Sequence, residues 1–422
     1  IQCYGQSANV SPLGTHLVFT QFEEMMATAS VPNSTAQLFI DINKIGVMCG
    51  LPNVWTYGVD LPDFVQCFYK IYRRVSLVFL FLFICCEWAA LYTQQNLSDK
   101  QRGDLILFVY SHPTLILWII VTEYKKERIK TLLYQLAVVL KEFYNDVEVE
   151  IEMVRKAKKN SVGYSAVFMM ALIFYGYDGV MQVVRGEGTF TTVILVWPDV
   201  QDNSALANFA RIFYYFIWWT FMARVCCVYV TVIPTLICLS HQFKNLQSYF
   251  QSLNVIWEED MGQTEKEEKY EAAFKEGVKM HSQTLWCTKE CQSTYQVIFS
   301  AQVLMVVTVL VSLMAQMANS DRTLENILSI VTTASAMLVS TGFIMWNAGD
   351  ITVEAAGMST AMYSSGWHHC RGSARRVRTL VIVTMMLSQR PVIIWALGIV
   401  ELSYRSYLSI VKSSYSVFSV LF

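Results

Sequence analysis

The sequence predicts an all-α membrane protein of seven transmembrane helices, with its N-terminus inside, its C-terminus outside and helical extensions on the cytoplasmic side. Three observations carry that prediction. Apolar residues make up 54% of the 422 positions and charged ones only 15%, where soluble domains carry roughly 25% charged; mean hydropathy is +0.37. Seven apolar stretches approach the ~20 residues that cross a bilayer. Lysines and arginines crowd alternate connecting segments, 22 against 4, and cytoplasmic segments are the basic ones.

In chain order, residues 1–74 form a mixed cytoplasmic region holding four of the eight prolines. It includes an amphipathic part near Leu38–Trp55 and ends in the basic pair Arg73-Arg74. No basic-then-apolar leader precedes the first apolar run, so the first span is expected to act as its own insertion signal. The expected spans are Val75–Tyr92, Leu105–Val121, Gly163–Val184, Ala207–Leu239, Tyr295–Ala318, Ile327–Gly349 and a composite Val377–Phe422. The fourth is too long merely to span and is expected to project from the membrane. Gln389-Arg390-Pro391 interrupts the last, and proline cannot continue a helix ladder unkinked, so two pieces are expected, Val377–Leu387 and Val392–Phe422.

The cytoplasmic segments read as helices. Ile129, Leu132, Leu133, Leu136, Val139, Leu140 and Phe143 form an apolar stripe, and Tyr270, Phe274, Val278, His281 and Leu285 recur at helical spacing within Lys266–Gln292. Together with the overlong fourth span they predict an intracellular platform; helices lying on the membrane surface are the alternative.

The final helix has one distinctive line: Leu402, Ser406, Ser409, Ser413, Ser416, Val420, spaced 4, 3, 4, 3, 4. A hydroxyl edge on an apolar helix fits either a water-filled axis shared between copies or a small-residue contact within a bundle. Spacing alone leaves both open.

Composition and motifs exclude several classes. A net charge of −1 with no basic domain gives no footprint for nucleic acid. No phosphate loop, nucleophile elbow or metalloprotease motif occurs, so no enzyme activity, catalytic residue or cofactor is expected. His281, Cys287, Cys291, His368, His369 and Cys370 are the residues available to zinc, but C-x-x-x-C on a helix reads as packing on adjacent turns, and no metal site is expected. The reverse orientation, an Asp-Arg-Tyr and an Asn-Pro-x-x-Tyr would mark a G-protein-coupled receptor; neither motif is present. No internal repeat supports a transporter of duplicated halves.

Charges within spans are costly and call for a functional reading. Asp178 and Arg211 lie at similar outer depth and are expected to form an ion pair, with snorkelling to the interface as the alternative. The outer parts of the middle spans are aromatic. Phe108 and His112, Phe174, Tyr177 and Met181, Phe209, Phe213 and Phe216, and Thr333 and Met337 are the candidates for an apolar ligand pocket with few polar groups. Pro113 follows His112 and frees a carbonyl in the preceding turn. Asn96-Leu97-Ser98 is a sequon expected outside; Asn9-Val10-Ser11 and Asn33-Ser34-Thr35 are sequons expected inside and unmodified.

Three stretches then show a resemblance: His241-Gln242-Phe243-Lys244-Asn245-Leu246, the run Gly342-Phe343-Ile344-Met345-Trp346-Asn347-Ala348-Gly349-Asp350, and Ser413-Ser414-Tyr415-Ser416-Val417-Phe418. The chain resembles insect odorant receptors, most like those of moths and butterflies, over nearly all of Val75–Phe422. The resemblance implies an inverted seven-span subunit of a ligand-gated nonselective cation channel, assembled as a heterotetramer with the odorant co-receptor in the plasma membrane of an olfactory neuron. It implies a small hydrophobic odorant or pheromone in the outer half of the bundle. It also implies a last helix lining the pore through Ser409, Ser413, Ser416 and Val420, and cytoplasmic helices holding subunits together. The chain would then divide into 1–74, the cytoplasmic region; 75–349, six spans with the pocket and cytoplasmic helices; and 350–422, a cytoplasmic linker and the two-piece seventh helix. A G-protein-coupled chemoreceptor and a solute transporter are the competing readings.

Overall fold

The computed structural model describes residues 33–55, 63–186, 188–319 and 323–421; the sequon at Asn9 lies outside them. Helix α1 (Ser34–Met48) begins at Asn33, whose side chain accepts from the Ala36 N–H and donates from Nδ2 to the Ala137 carbonyl at 2.7 Å. That sequon asparagine is therefore a helix cap. The chain leaves α1 through Gly50 at φ 93°, a left-handed position that suits glycine. A Cβ there would also strike the Arg224 guanidinium. Leu51, Val54 and Trp55 are buried beyond it without regular structure. The amphipathic element is thus shorter than Leu38–Trp55 suggests.

Helices α2 (Asp63–Thr93) and α3 (Asp99–Tyr124) follow, α3 opening on a capping box between Ser98 and Gln101. Next come α4 (Lys126–Tyr134), a π-helical turn (Gln135–Val139) and α5 (Leu140–Phe143). Their predicted stripe is buried at Ile129, Leu132, Leu133, Leu136 and Leu140, while Phe143 is exposed. The long helices are α6 (Val147–Val184), α7 (Ala205–Ser252), α8 (Gln263–Asn319) and α9 (Leu324–Tyr363). Then come α10 (Ala374–Ser388), a two-stranded hairpin and α11 (Tyr404–Leu421).

Among the described residues six helices, α2, α3 and α6 to α9, are long and apolar enough to cross a membrane. Helices α7 and α8, of 48 and 57 residues, reach about 72 and 85 Å at ~1.5 Å per residue, far beyond the ~30 Å of hydrocarbon. Both run on unbroken: α7 passes Pro234, and the predicted cytoplasmic helix Lys266–Gln292 is the first half of α8. No proline or turn sequence separates it from the fifth span. Helix α7 is central, with 89% of its most apolar window buried within the chain against 28% for α2, whose outer face is left for lipid.

The projecting halves of α7 and α8 form the platform with α4, α5 and α10. Arg128 and Glu290 make a two-point pair (2.5 and 2.8 Å), and Lys125 Nζ donates to the Ser293 carbonyl at 2.6 Å. Glu267 accepts from the N–H groups of Arg371, Gly372 and Ser373 at 2.6–3.1 Å and so ties the segment before α10 to the start of α8. Cys287 and Cys291 are buried one turn apart along α8. At the membrane border Arg224 Nε donates to the Cys49 carbonyl at 2.9 Å, and the guanidinium also reaches Ser76 and Tyr72, clamping α1 and α2 onto α7.

The composite seventh span needs correction. Helix α10 is not a membrane piece. Val377 and Val381 are buried, Arg376 pairs with Glu271 and Arg378 stacks over Trp367 at 5.8 Å, all on the platform. Its arginines keep it out of hydrocarbon. The second piece does not begin as a helix at Val392. Trp395–Ala396 pairs with Val400–Glu401 around Leu397 and Gly398, both at positive φ, the backbone that a tight hairpin turn demands. Gln292 holds this hairpin through its amide, donating to the Trp395 carbonyl at 2.9 Å and accepting from the Trp395 N–H at 2.8 Å. Leu402, the first member of the serine line, is buried beside the hairpin, before the helix starts.

Candidate functional site

A nearly wholly apolar cavity with about 70 Å³ of free space lies between α3, α6, α7 and α9. On α3 its lining runs from Leu107 to Trp118, about 12 to 28 Å from the helix start at ~1.5 Å per residue. One wall is a ring cluster. Phe108 stacks on His112 (4.8 Å, 7° between planes), Phe221 meets His112 edge-on at 5.4 Å, and Phe108 contacts both Tyr175 and Trp218 at 5.5 Å.

His112 is fully buried and both ring nitrogens are committed. Nδ1 lies 2.8 Å from each carboxylate oxygen of Glu87, and Nε2 is 3.0 Å from the indole Nε1 of Trp218. The indole N–H can only donate, so Nε2 is the acceptor and the imidazole carries its proton on Nδ1, directed at Glu87. A carboxyl, an imidazole and an indole from α2, α3 and α7 thus form one chain. It gives Glu87, buried within a span, a hydrogen-bonded partner. His112 also lines the cavity.

Above the cavity, on the side remote from the platform, opens a polar cleft of about 870 Å³ that includes Asn96, Lys100, Asp178, Met181 and Arg185. Tyr175 of the cavity lining lies one turn before Asp178 of the cleft, beside Asp104. Across α6 and α7, Tyr215 donates to the Leu172 carbonyl at 3.1 Å over Gly176, where a side chain would collide with that hydroxyl.

The predicted site residues separate into groups. Phe108, His112, Thr333 and Met337 line the cavity together. Met181 belongs to the polar cleft. Phe174 is half-buried outside the lining, and Tyr177 is exposed. Phe209, Phe213 and Phe216 share a face, as their spacing predicts, but are 68%, 52% and 62% exposed. They cover the outside of the bundle, and the helix turns Trp218, Met222 and Val225 inward instead. The Asp178–Arg211 pair does not form. Asp178 pairs with Lys100 on α3 and accepts from Gln182 at 3.0 Å. Arg211 donates to the carbonyls of Asp199 (2.6 Å) and Asp202 (2.8 Å) and to Asn208 Oδ1 (2.8 Å), closing the loop before its own helix. Carbonyls of that loop meet the guanidinium before any carboxylate does. Asn96 is exposed, and the hydroxyl of Ser98 caps α3.

Glu87, Trp218, Tyr164 and Trp118 were not among the expected site residues. Glu87 carried a signal: it is the one acidic residue in the run Val75–Tyr92, and such residues default to function. The others are aromatic residues in aromatic-rich spans, where sequence gives no facing.

On the final helix Ser409, Ser413, Ser416 and Val420 are all exposed, while Ile410 and Ser414 on the other side are buried. The serine line therefore points away from its own subunit.

The fold has known counterparts. The family described as the 7tm odorant receptor matches residues 106–415, and the chain belongs to that family. The insect olfactory receptor OR5 of Machilis hrabei in complex with eugenol superposes with a TM-score of 0.75 at 13% identity, covering 92% of this chain and 99% of that one. The structure of the same receptor described without eugenol gives 0.73 at 13% identity, covering 90% and 96%. No curated protein sequence matches significantly. The chain is a multi-pass membrane odorant receptor with the seven-helix fold of those structures.

Proposed function

We propose that this receptor is the odorant-tuning subunit of a ligand-gated nonselective cation channel, assembled with odorant co-receptor subunits around a pore lined by α11. The observation that carries it is the outward face of α11. Four hydroxyl or small apolar side chains at heptad spacing are exposed on their own subunit, which suits an axis shared with neighbours. A small hydrophobic odorant would occupy the cavity beneath Tyr175; eugenol in the Machilis hrabei receptor is such a molecule. Helix α9 touches both the cavity, through Thr333 and Met337, and α11, so it links ligand to pore. Trp346 on α9 meets Tyr407 edge-on at 5.3 Å, and Asp350 accepts from the Tyr404 hydroxyl. The odorant opens the pore only by its higher affinity for the open arrangement.

The test is direct. Ser413→Cys and Ser416→Cys, each co-expressed with an insect co-receptor under voltage clamp, are expected to lose odorant-evoked current when a water-soluble thiol reagent is applied with the odorant. Unchanged current at both positions sinks the pore assignment.

A further inference from the structure

Resting on that odorant-binding reading, we infer that the cavity selects volatiles bearing a hydrogen-bond-accepting oxygen over hydrocarbons of the same shape, with Ser111, Tyr164 and Trp118 as the groups that meet it. The inference comes from which polar groups of the cavity are already spent. His112 gives one nitrogen to Glu87 and the other to Trp218. Thr333 donates to the Ser329 carbonyl at 2.7 Å and Tyr229 donates to Gln302, while Tyr175 lies beside the Asp104 carboxyl. His112, Thr333 and Tyr229 thus have no donor free for a ligand, and Tyr175 has the Asp104 carboxyl beside it.

Three lining groups remain. The Trp118 indole N–H is buried with no acceptor. The hydroxyls of Ser111 and Tyr164, both on buried side chains, have no hydrogen-bond partner among the described residues. That is unusual in each case. A helical serine in apolar surroundings commonly turns its hydroxyl back to the preceding turn, as Thr122 and Thr333 do here. Buried tyrosine and tryptophan polar atoms normally find partners. Ser111, Leu115 and Trp118 are spaced 4 and 3 on α3, so they share one face. Tyr164 and Trp118 converge on one ring, both packing on Tyr229 with centroids 4.8 and 4.9 Å apart.

The chemistry of the missing partner follows. An indole N–H only donates, while serine and tyrosine hydroxyls donate or accept. An acceptor oxygen is the one ligand feature that all three can bond, so the class is a ketone, aldehyde, ester, ether or alcohol of small size. The flexible thioethers of Met222 and Met337 are the side chains most able to yield to its carbon body. The competing occupant is water alone, which would satisfy the three groups without giving selectivity.

The experiment pairs each oxygenated volatile with the hydrocarbon of its carbon skeleton, such as acetophenone with ethylbenzene, 2-heptanone with heptane and benzyl alcohol with toluene. Each pair is applied to the receptor co-expressed with co-receptor. Each is also titrated against the intrinsic tryptophan fluorescence of purified receptor, which reads binding without any current. The oxygenated member is expected to be more potent. For the best one, Ser111→Ala and Tyr164→Phe are each expected to weaken binding about three- to tenfold, the reach of one neutral hydrogen bond. Hydrocarbon binding should not change, and Ser111→Thr should restore the preference. Trp118→Phe should act in the same direction, with surface labelling confirming that each variant reaches the membrane. Equal potency within pairs, or substitutions that weaken both members alike, would overturn the inference. Selective binding without current would leave it standing and overturn the channel reading; no binding by any pair would overturn the odorant reading and the inference with it.

Discussion

At the scale of the residue, the Glu87–His112–Trp218 chain fixes the cavity wall. Its asymmetry makes a prediction. His112→Ala leaves the buried Glu87 carboxylate without its hydrogen-bond donor, which costs about 1–3 kcal/mol for an unsatisfied buried acceptor and more for a charged one. Glu87→Gln keeps an acceptor for the Nδ1–H and should cost less than about 2 kcal/mol. The double variant removes the stranded charge and should be more stable than His112→Ala alone. Thermal unfolding of the detergent-purified receptor measures all three. A double variant less stable than both singles would refute the assignment. Residue-level legibility in the sequence was uneven for a physical reason. Helical period tells which residues share a face, and the Phe209, Phe213 and Phe216 face is real. In a membrane, however, both the lipid side and the core are apolar, so hydrophobicity cannot say which way that face turns. Polar residues carry more direction, and His112, Thr333 and Asp178 all proved buried or half-buried at polar contacts. Partner choice was beyond reach because Lys100 lies 78 positions from Asp178.

At the scale of the element, helix starts and stops explain what pattern reading got right and missed. The six long helices were legible because length and hydropathy demand them. The start of α11 was not, because Val392–Leu402 is as apolar as the helix beyond it. Only the Leu397-Gly398 turn, which takes positive φ, separates hairpin from helix. The platform end of α6 offers a test by pH. Asp146 caps α6 by accepting from the Glu148 and Val149 N–H groups at 3.0 and 3.3 Å, and it also accepts from the Ser248 hydroxyl of α7. That Ser248 bond chiefly holds its carboxyl below the usual carboxylate range, with the two backbone bonds adding to it. A carboxyl lowered in the folded state stabilises above its unfolded pKa of ~3.9 and loses that contribution as pH falls through the lower folded value. Asp146→Ala should therefore cost about 1 kcal/mol at neutral pH and approach the parent in stability below pH ~3. Asp146→Asn, which still accepts, should lose less at neutral pH. Melts of the purified receptor from about pH 2 to pH 7 check this, and an Asp146→Ala deficit that persists undiminished at the acid end would contradict the capping role.

At the scale of the whole molecule, the distribution of basic residues predicts an orientation. The basic segments, 22 lysines and arginines against 4, are those that join α3 to α6 and α7 to α8, with the segments flanking α1 and α10. These same segments build the platform, where Arg128, Lys156, Lys244 and Arg376 meet carboxylates. By the positive-inside rule a basic, ion-paired platform on long helices is expected in the cytoplasm, with the polar cleft and Asn96 expected outside. The sequons supply the contrast, because Asn33 lies on the platform side with its amide engaged at Ala137, whereas Asn96 is exposed at the opposite end. An epitope placed after Phe422 should label on intact cells, and one placed before Ile1 only after permeabilisation. Any glycosidase-sensitive mobility shift should vanish in Asn96→Gln and survive Asn33→Gln. A tag after Phe422 that labels only permeabilised cells would reverse the molecule in the membrane. It would put the polar cleft in the cytosol and remove the route by which an external volatile reaches the cavity beneath Tyr175. Both arms therefore test the same arrangement, in which ligand enters from one side and the subunits are held from the other.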